Sequence, residues 1–430
     1  MQATASMMSE NAANSDYVSS AEALAVLAVK PQTLYSYVSR GWIRRICIDG
    51  KSSRYNRADI HRLKSRSNAR SGHGAVAASA LQWGEPVLVT GITEITEKGP
   101  RYRERLALEL AREGHSFESV AEYLWTGDAI DSAVRWRFDS SIARIVPRVA
   151  ALAGAYPGIH LRQLLTEIVL LLGIEYNQAD RESQSLPLSV LARALVQALC
   201  TAFGFVGKHR RYVAPVEGEG IARYILRAYG LDASRSQVRV LNSVLVLLAD
   251  HEFSPATFAA RIAASNRVDL HSCVGAALQV HFGSNLGLRC ERVELALNAA
   301  TSASEPAVVP ARIGAFPVGF DLPFYANGDP RAEEILNLAL SLKPHAAASR
   351  QAIDTLRCID NHQGAVSLDA SLVVLCRALG MTSPVAGGVL AVGRSAGWIA
   401  HVNEQRQQDF MIRPRGKFES TASTDDRTAA

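Results

Sequence analysis

The side chains most clearly grouped for binding are cations near the start of the chain. Residues 16–70 contain eleven Lys or Arg and only four Asp or Glu, a net charge of +7 in a protein whose total formal charge is +5. Clustered cations neutralise phosphates and release counterions, which is the sequence-independent part of nucleic-acid binding. We therefore expect a polyanionic partner for the N-terminal part of the chain only.

The six cysteines lack the spacing of a metal site or a redox pair, so buried free thiols and no metal are expected. With 430 residues, 48% hydrophobic and 20% charged, the chain has the composition of a globular protein of two or three domains. It has no run of eighteen apolar residues and no basic or apolar N-terminal leader, so we expect a cytoplasmic protein without a membrane partner.

The basic region is predicted to form two short helices and a β-hairpin. Ser19 or Ser20 can cap the first helix, and Pro31 suits the first position of the second. Asp49-Gly50 is a tight-turn signal between two basic strands. The Ser-, Gly- and Ala-rich segment that follows indicates a flexible linker to a second domain.

These elements, with the stretch TLYSYVSRGWIRR, resemble the winged helix-turn-helix of the MerR and excisionase-like families. The resemblance implies four residues that face the DNA major groove: Gln32, Thr33, Tyr35 and Ser36. It also implies five residues that meet phosphates: Arg40, Arg44, Arg45, Lys51 and Arg54. The alternative is a docking or dimerisation unit that recognises no DNA sequence, because helix-turn-helix signals are unspecific.

From about residue 81 the chain is predicted to be almost entirely helical. Segments such as LRQLLTEIVLLLG, SVLARALVQALCTAFG and RYRERLALELAREG have apolar residues at three-to-four spacing and end at glycine. In this region only QWGEPVLVTGITEIT resembles a strand. The fold class is therefore mainly α, with a small module followed by a large all-α domain.

Five ordered blocks of this region resemble the citrate synthase family, especially its shorter bacterial type. They are ITEITEKGPRYRERLALELAREGHSFESVAEYLWTGD, ADHEFSPATFAARIAASNRVDLHSCVGAALQ, GFDLPFYANGDPRA, SLDASLVVLCRALG, and GRSAGWIAHVNEQ with MIRPRGKF. The resemblance implies a fold with a large and a small helical domain. The predicted domains are a disordered N-terminus 1–15, a helix-turn-helix domain 16–66, a linker 67–80, a citrate-synthase-like domain 81–418 and a disordered tail 419–430.

The resemblance implies a site for oxaloacetate or a citrate-like carboxylate. The arginines that grip the ligand would be Arg331, Arg394 and Arg413, the last reaching into the other subunit of a homodimer. His251 would contact the same ligand, and Asp369 would be the base that removes a proton from an acyl-CoA. Without the resemblance, each arginine could instead pair with a helix C-terminus or a surface carboxylate, and His251 and Asp369 could be ordinary helix-start residues.

Leucines replace both catalytic histidines of the family. Leu286 stands thirty-five residues after His251, where the family has its enol-stabilising histidine, and Leu322 replaces the histidine that polarises the 2-oxo carbonyl. Leucine has no donor or acceptor, so we expect activity about four or more orders of magnitude below the family's. His281 lies five residues before Leu286 and is expected to occupy the preceding helix and to point elsewhere.

Functions of two classes remain open at this stage. One is a ligand-sensing, DNA-binding pseudoenzyme, and the other is a divergent citrate or 2-methylcitrate synthase. A third possibility is a regulatory subunit in a mixed dimer with a catalytically competent paralogue. No permanently bound cofactor is expected. Acyl-CoA is a candidate ligand or substrate, although Leu288, Arg289 and Glu104 depart from family motifs on the CoA side.

Overall fold

A computed structural model describes most of the chain, and its contacts divide it into two compact units, Met1–Val89 and Thr90–Ala430. The described residues are 17–27, 29–39, 42–48, 52–57, 59–60, 88–130, 134–179, 186–283, 288–302, 312–313, 316–317, 325, 327–360, 365–381 and 385–414. The predicted N-terminal segment 1–15, linker 67–80 and tail 419–430 lie outside these ranges.

The first unit combines two helices with a three-stranded antiparallel sheet. Its elements are β1 (Tyr17–Ser19), α1 (Ser20–Leu27), α2 (Pro31–Ser39), β2 (Arg45–Ile48) and β3 (Ser52–Asn56). The strand order is β1-β3-β2, so β3 lies in the middle of the sheet.

Local chemistry explains where these helices begin. Ser19 accepts a hydrogen bond from the Glu22 backbone N–H, and the Glu22 carboxylate accepts one from the Ser19 N–H, which forms a capping box. Pro31 occupies the first turn of α2, where its missing N–H costs nothing. A small core closes the unit, formed by Val18, Ala23, Leu27, Leu34, Ile43, Tyr55 and Ile60.

In its described residues, the second unit is helical apart from short strands. The strands are β4 (Thr93–Thr96), β5 (Gly99–Tyr102), β6 (Arg105–Leu106), β7 (Arg312–Ile313) and β8 (Phe316–Pro317). The helices are α3 (Ala107–Arg112), α4 (Phe117–Thr126), α5 (Ser140–Ala155), α6 (Leu161–Ala179), α7 (Leu188–Val206), α8 (Ile221–Tyr229), α9 (Arg235–Leu248), α10 (Pro255–Ser265), α11 (Leu270–His281), α12 (Arg289–Ser302), α13 (Pro330–Ser341), α14 (Ala346–Asp360), α15 (Leu368–Ala378) and α16 (Ala386–Gln407).

The first strands of this unit, β4 to β6, differ from the sequence prediction. In the described part of the predicted strand, residues 88–96, the strand is β4, and a meander of β4, β5 and β6 replaces the first part of the predicted helix 101–114. Arg103 adopts a positive φ of 49° between β5 and β6, which a helix does not allow. Its guanidinium donates to the carbonyls of Tyr123 and Leu124 at the end of α4, so this turn is held by a helix C-terminus.

Two glycines that were expected to end helices instead lie inside them. Gly173 is within α6, and a Cβ there would lie 2.9 Å from the Cβ of His271. Gly204 is within α7, where a Cβ would lie 2.5 Å from the carbonyl oxygen of Arg211. Close packing by neighbouring backbone and side chains therefore explains these glycines better than helix termination.

Helix α16 runs through the centre of the unit. It packs against α4, α7, α9, α10 and α11, and all of its residues from Ala386 to Val402 are buried. At Gly397 a Cβ would lie 2.1 Å from the Asp250 carboxylate, and the Gly397 N–H donates to the carbonyl of Ala249 at 2.8 Å. The missing side chain lets the end of α9 rest directly on α16.

Helix α7 has the length and apolar character of a membrane span, but 72% of its most apolar window is buried inside the unit. Such burial is typical of a core helix. The predicted free thiols are confirmed for the four cysteines whose side chains are described, namely Cys200, Cys273, Cys290 and Cys376, all of them buried. The side chains of Cys47 and Cys358 lie outside the described set.

Candidate functional site

Three of the predicted ligand-binding residues come from separate elements and meet in one place. His251 follows α9, Arg331 is in the first turn of α13, and Arg394 lies in the middle of α16. Burial, followed by the charges of both arginines, lowers the pKa of His251 well below its usual value. The imidazole is therefore neutral at neutral pH and lies within electrostatic reach of two guanidinium groups.

Asp329 orients Arg331. The Arg331 Nε and Nη2 donate to the two carboxylate oxygens of Asp329 at 3.0 and 2.6 Å, and this carboxylate also caps α13. Burial alone would lower the pKa of Arg331, but Asp329 raises it. The third nitrogen, Nη1, is buried and has no hydrogen-bond partner among the described residues.

Arg394 is also buried, but the neighbouring groups offset less of the cost of burying its charge. Burial and then the charge of Arg331 lower its pKa, and its Nη1 has no hydrogen-bond partner within the described part of the chain. A buried donor without an acceptor costs about 1–3 kcal/mol, and more when it is charged. Two such donors in adjacent arginines form a site that is suited to an anion with carboxylate geometry.

His251 is held by groups on both sides. Its Nε2 lies 2.8 Å from the hydroxyl of Tyr325. The preceding residue, Asp250, is fully buried and lies 3.1 Å from the Nε2 of His401 on α16. The Tyr102 hydroxyl bonds to carbonyls at the end of α9 and to the Asp250 backbone, and burial raises its pKa to about 12. These contacts fix the turn that carries His251.

Arg413 does not join the other two arginines within one chain. It is exposed in the extended segment after α16, where the Ile412 N–H donates to the Ser265 hydroxyl at 3.1 Å. Its predicted contact with the other subunit stays a prediction.

Asp369, the predicted base, lies in the first turn of α15 behind the cap residue Ser367 and is 9% exposed. Its Oδ2 is 3.0 Å from the Nε of Arg289, and the Cys290 thiol donates to its Oδ1 at 3.8 Å. Burial raises the pKa of Asp369, while the charge of Arg289 opposes that rise. The carboxylate is therefore already engaged by a cation from α12.

Leu286 and Leu322, the two replacements of family histidines, lie outside the described residues. His281 does end α11, as expected, but its ring is turned towards α16. It packs edge-on against Trp398 with ring centroids 5.5 Å apart, and Arg394 contributes to lowering its pKa to about 4 after burial, the larger cause. The expectation that His281 points away from the place of the lost histidine stays a prediction, because Leu286 lies outside the described residues.

In the first unit, the predicted groove-facing residues are on α2. Gln32 and Tyr35 are exposed, whereas Thr33 and Ser36 are half-buried. The positions 32, 35 and 36 share one face of a helix, opposite the buried Leu34.

The predicted phosphate contacts of this unit differ in their exposure and in their pairing. Arg45 is exposed and Arg54 half-buried, but Arg44 makes a two-pronged pair with Asp59 at 2.9 and 3.1 Å. The remaining two, Arg40 and Lys51, lie outside the described residues.

Sequence reasoning missed the residues that complete the site. Tyr325 and Asp329 precede Arg331 in the block GFDLPFYANGDPRA, and a tyrosine and an acid close to a predicted ligand-binding arginine are signals that the sequence offers. From the sequence, Arg289 is only a departure from the family's motif on the CoA side. Its pairing with Asp369 joins α12 to α15 and has no local sequence signal.

The chain is similar in sequence to known proteins of one family. A family model described as "Citrate synthase, C-terminal domain" matches residues 80–415. Citrate synthase 2 of Bacillus subtilis is 27% identical over 280 residues, which cover 60% of this chain and 73% of the relative. The 2-methylcitrate synthase of Shewanella oneidensis is 24% identical over 357 residues, covering 78% of this chain and 92% of the relative.

Solved structures share the fold. Citrate synthase from Thermoplasma acidophilum, in a ternary complex with carboxymethyl coenzyme A and oxaloacetate, matches with a TM-score of 0.65 and 18% identity over 79% of this chain and 95% of that one. Citrate synthase from Thermotoga maritima matches with a TM-score of 0.61 and 20% identity over 80% and 96%. Both likenesses concern the mainly helical architecture.

Proposed function

Because the chain belongs to the citrate synthase family, we propose that its large unit binds oxaloacetate or a citrate-like carboxylate through Arg331, Arg394 and His251 and condenses it with acyl-CoA slowly or not at all. The observation that carries the binding role is the pair of buried guanidinium nitrogens without a hydrogen-bond partner in the described residues. A bound carboxylate would supply both acceptors and would offset the repulsion between the arginines.

The loss of catalysis is proposed from three positions. Leu286 and Leu322 offer no hydrogen bond to an enol or to a 2-oxo carbonyl. In addition, Arg289 holds the carboxylate of Asp369, and a base that is paired with a cation accepts a proton less readily. The large unit would then be a ligand sensor built on an enzyme fold.

A divergent citrate or 2-methylcitrate synthase is the second candidate. The named relatives carry those activities, and burial raises the pKa of Asp369 towards the range in which a carboxylate is an effective base. In that case acyl-CoA is a substrate rather than a regulatory ligand, and the Thermoplasma relative with its bound coenzyme A derivative offers a parallel. No permanently bound cofactor is part of either proposal.

We propose a homodimer in which Arg413 completes the site of the other subunit, which fits its exposure after α16. A mixed dimer with a catalytically competent paralogue would use the same residue. The cytoplasm is the compartment in which such ligands and a DNA partner would both be available.

Calorimetric titration of the full chain with oxaloacetate and with citrate tests the binding role. We expect saturable binding with a dissociation constant below millimolar and thermal stabilisation that rises with ligand concentration. Absence of heat and of any thermal shift at millimolar ligand would show that the arginines no longer form a functional site.

For the N-terminal unit we propose binding to double-stranded DNA through one face of α2 and the β2–β3 hairpin. The exposed face with Gln32 and Tyr35, together with the exposed Arg45 and the half-buried Arg54, supports this role. The pair between Arg44 and Asp59 argues that Arg44 mainly braces the hairpin. Docking to another protein is the competing role.

The salt dependence of DNA binding distinguishes these roles. We expect the affinity of the full chain for a short duplex to fall steeply with salt, and the Arg45→Ala, Arg54→Ala double variant to reduce the logarithmic slope by about two. Arg267→Ala, an exposed arginine of the large unit, is the matched control and should leave the slope unchanged. Affinity that does not respond to salt would argue for protein docking instead.

A further inference from the structure

A buried ionisable pair lies directly behind the proposed carboxylate site. The Asp250 Oδ2 is 3.1 Å from the Nε2 of His401, and neither side chain has any exposed surface. Asp250 precedes His251 in the chain, and His401 lies two helical turns after Arg394 on α16. The pair therefore connects the turn that carries His251 to the helix that carries Arg394. Because desolvation offsets most of the attraction between buried charged groups, a positional role explains the pair better than a contribution to stability.

The carboxylate of Asp250 shapes the turn around His251. Its Oδ2 also accepts a hydrogen bond from the Glu252 N–H at 3.1 Å, which closes an Asx turn with His251 at its centre. Glu252 has a φ of 53°, a conformation that is uncommon outside glycine and costs about 1–3 kcal/mol. Such a residue persists only when its surroundings hold it, and the hydrogen bond to Asp250 supplies that restraint.

His401 in turn fixes the carboxylate of Asp250. Burial alone would raise the pKa of Asp250, but His401 holds it below its usual value, so the group is an ionised acceptor at neutral pH. The His401 Nε2 therefore carries a proton and donates it to Oδ2. Nδ1 of the same ring has no hydrogen-bond partner among the described residues, and the Glu404 carboxylate is 4.0 Å away. The bond to Asp250 and the contact with the Phe253 ring, at 5.3 Å between centroids, thus orient the imidazole.

The Asx turn directs the imidazole of His251. The Nε2 of this ring lies 2.8 Å from the Tyr325 hydroxyl. A shift of the turn would move the ring away from Tyr325 and from the two arginines of the site, because the ring is attached to the residue next to Asp250. The affinity of the site for an acid should therefore depend on a residue that lies outside it.

We propose that His401 is a positioning residue of the carboxylate site: through the Asp250 carboxylate it holds the Asx turn in the conformation that directs His251 to the ligand. His401 itself does not contact the ligand. The proposal rests on the carboxylate-binding role proposed above and adds a residue that controls it.

A double-mutant cycle between His401 and His251, measured by calorimetry of the full chain with oxaloacetate, tests this proposal. His401→Asn, whose amide is too short to reach Asp250, should lower the affinity about tenfold, as the loss of one hydrogen bond to the ligand requires. His251→Ala should have a similar effect. The double variant should bind as the His251→Ala protein does, because both changes remove the same interaction. His401→Gln places an N–H near the position of Nε2 and should retain most of the affinity.

The matched control is His209→Asn, which changes an exposed histidine of the same unit. It should alter the affinity neither in the wild-type protein nor in the His251→Ala background. Thermal melting of each preparation shows which variants are folded.

The outcomes separate the two proposals. If His401→Asn weakens binding about tenfold in the His251→Ala background as well, its effect does not pass through His251, and the positioning role is overturned while carboxylate binding stands. A folded His401→Gln protein that binds as weakly as His251→Ala also overturns it, and this result decides even if His401→Asn does not fold. If the wild-type protein binds no acid, both proposals fail. A loss in His401→Asn that vanishes in the His251→Ala background and is rescued in His401→Gln supports the role, since a merely structural defect would persist in both backgrounds.

Discussion

Arg394→Met is expected to lower the affinity for oxaloacetate and citrate by up to about 100-fold, because the charge-assisted hydrogen bond from the unpartnered Nη1 is lost and such a bond contributes up to about 3 kcal/mol. The same change should not lower the melting temperature of the unliganded protein. Burial and the neighbouring Arg331 both disfavour the charge at this position, and methionine fills similar space without it. Calorimetry and thermal melting of the same preparation measure both effects.

The matched control is Arg267→Met, which removes an arginine whose side chain is 76% exposed. It should change neither the affinity nor the melting temperature by more than surface substitutions usually do. An Arg394→Met protein that binds the acids as tightly as the wild type would place the ligand elsewhere in the molecule.

A gain of synthase activity is expected when the missing groups are restored. The wild-type chain should release thiol from acetyl-CoA and oxaloacetate at least about 10⁴-fold more slowly than a competent relative measured beside it. Leu286→His with Leu322→His returns two hydrogen-bond donors, and Arg289→Ala frees the carboxylate of Asp369. The triple variant should exceed the wild type by about 10²-fold or more, since each preorganised donor typically contributes 10²–10³.

Asp369→Asn in the background of the triple variant is the control for this gain. It keeps the shape of the side chain but removes the base, so the restored activity should disappear. If the wild-type chain turns over substrate about as fast as the relative, the protein is a divergent synthase and the ligand-sensor proposal is wrong. The same assay with propionyl-CoA extends the test to 2-methylcitrate formation.

The three residues of the proposed ligand site that lie together could be predicted from sequence because short motifs carry them. The blocks DHE, GDPRA and GRSAGW fixed His251, Arg331 and Arg394, and the fold brings these three within electrostatic reach of one another. The mainly helical architecture also followed from apolar spacing. Helix interiors such as α6, α7 and α15 coincide with the predicted segments.

The misses have a common physical origin in tertiary contacts. The apolar pattern of residues 101–114 suits a helix, but the turn at Arg103 and the packing of β5 override it until Ala107. The internal glycines Gly173 and Gly204 are close to His271 and Arg211, and these contacts lie outside the helix that contains each glycine.

The same holds for side chains of the site. His281 was placed correctly on its helix, yet the direction of its ring depends on how α11 crosses α16, which no local pattern encodes. The partnership of Arg289 with Asp369 likewise exists only after two helices have packed.

The two buried arginines, Arg331 and Arg394, also affect how quickly the protein would be degraded. If the site binds an acid as proposed, Arg331 and Arg394 repel each other inside the core when that acid is absent, and opening to proteases would be easiest when the acid is scarce. Occupancy would close that route by mass action. The quantity of this protein in a cell would then follow the supply of its acid, even if nothing else in the molecule responded to it.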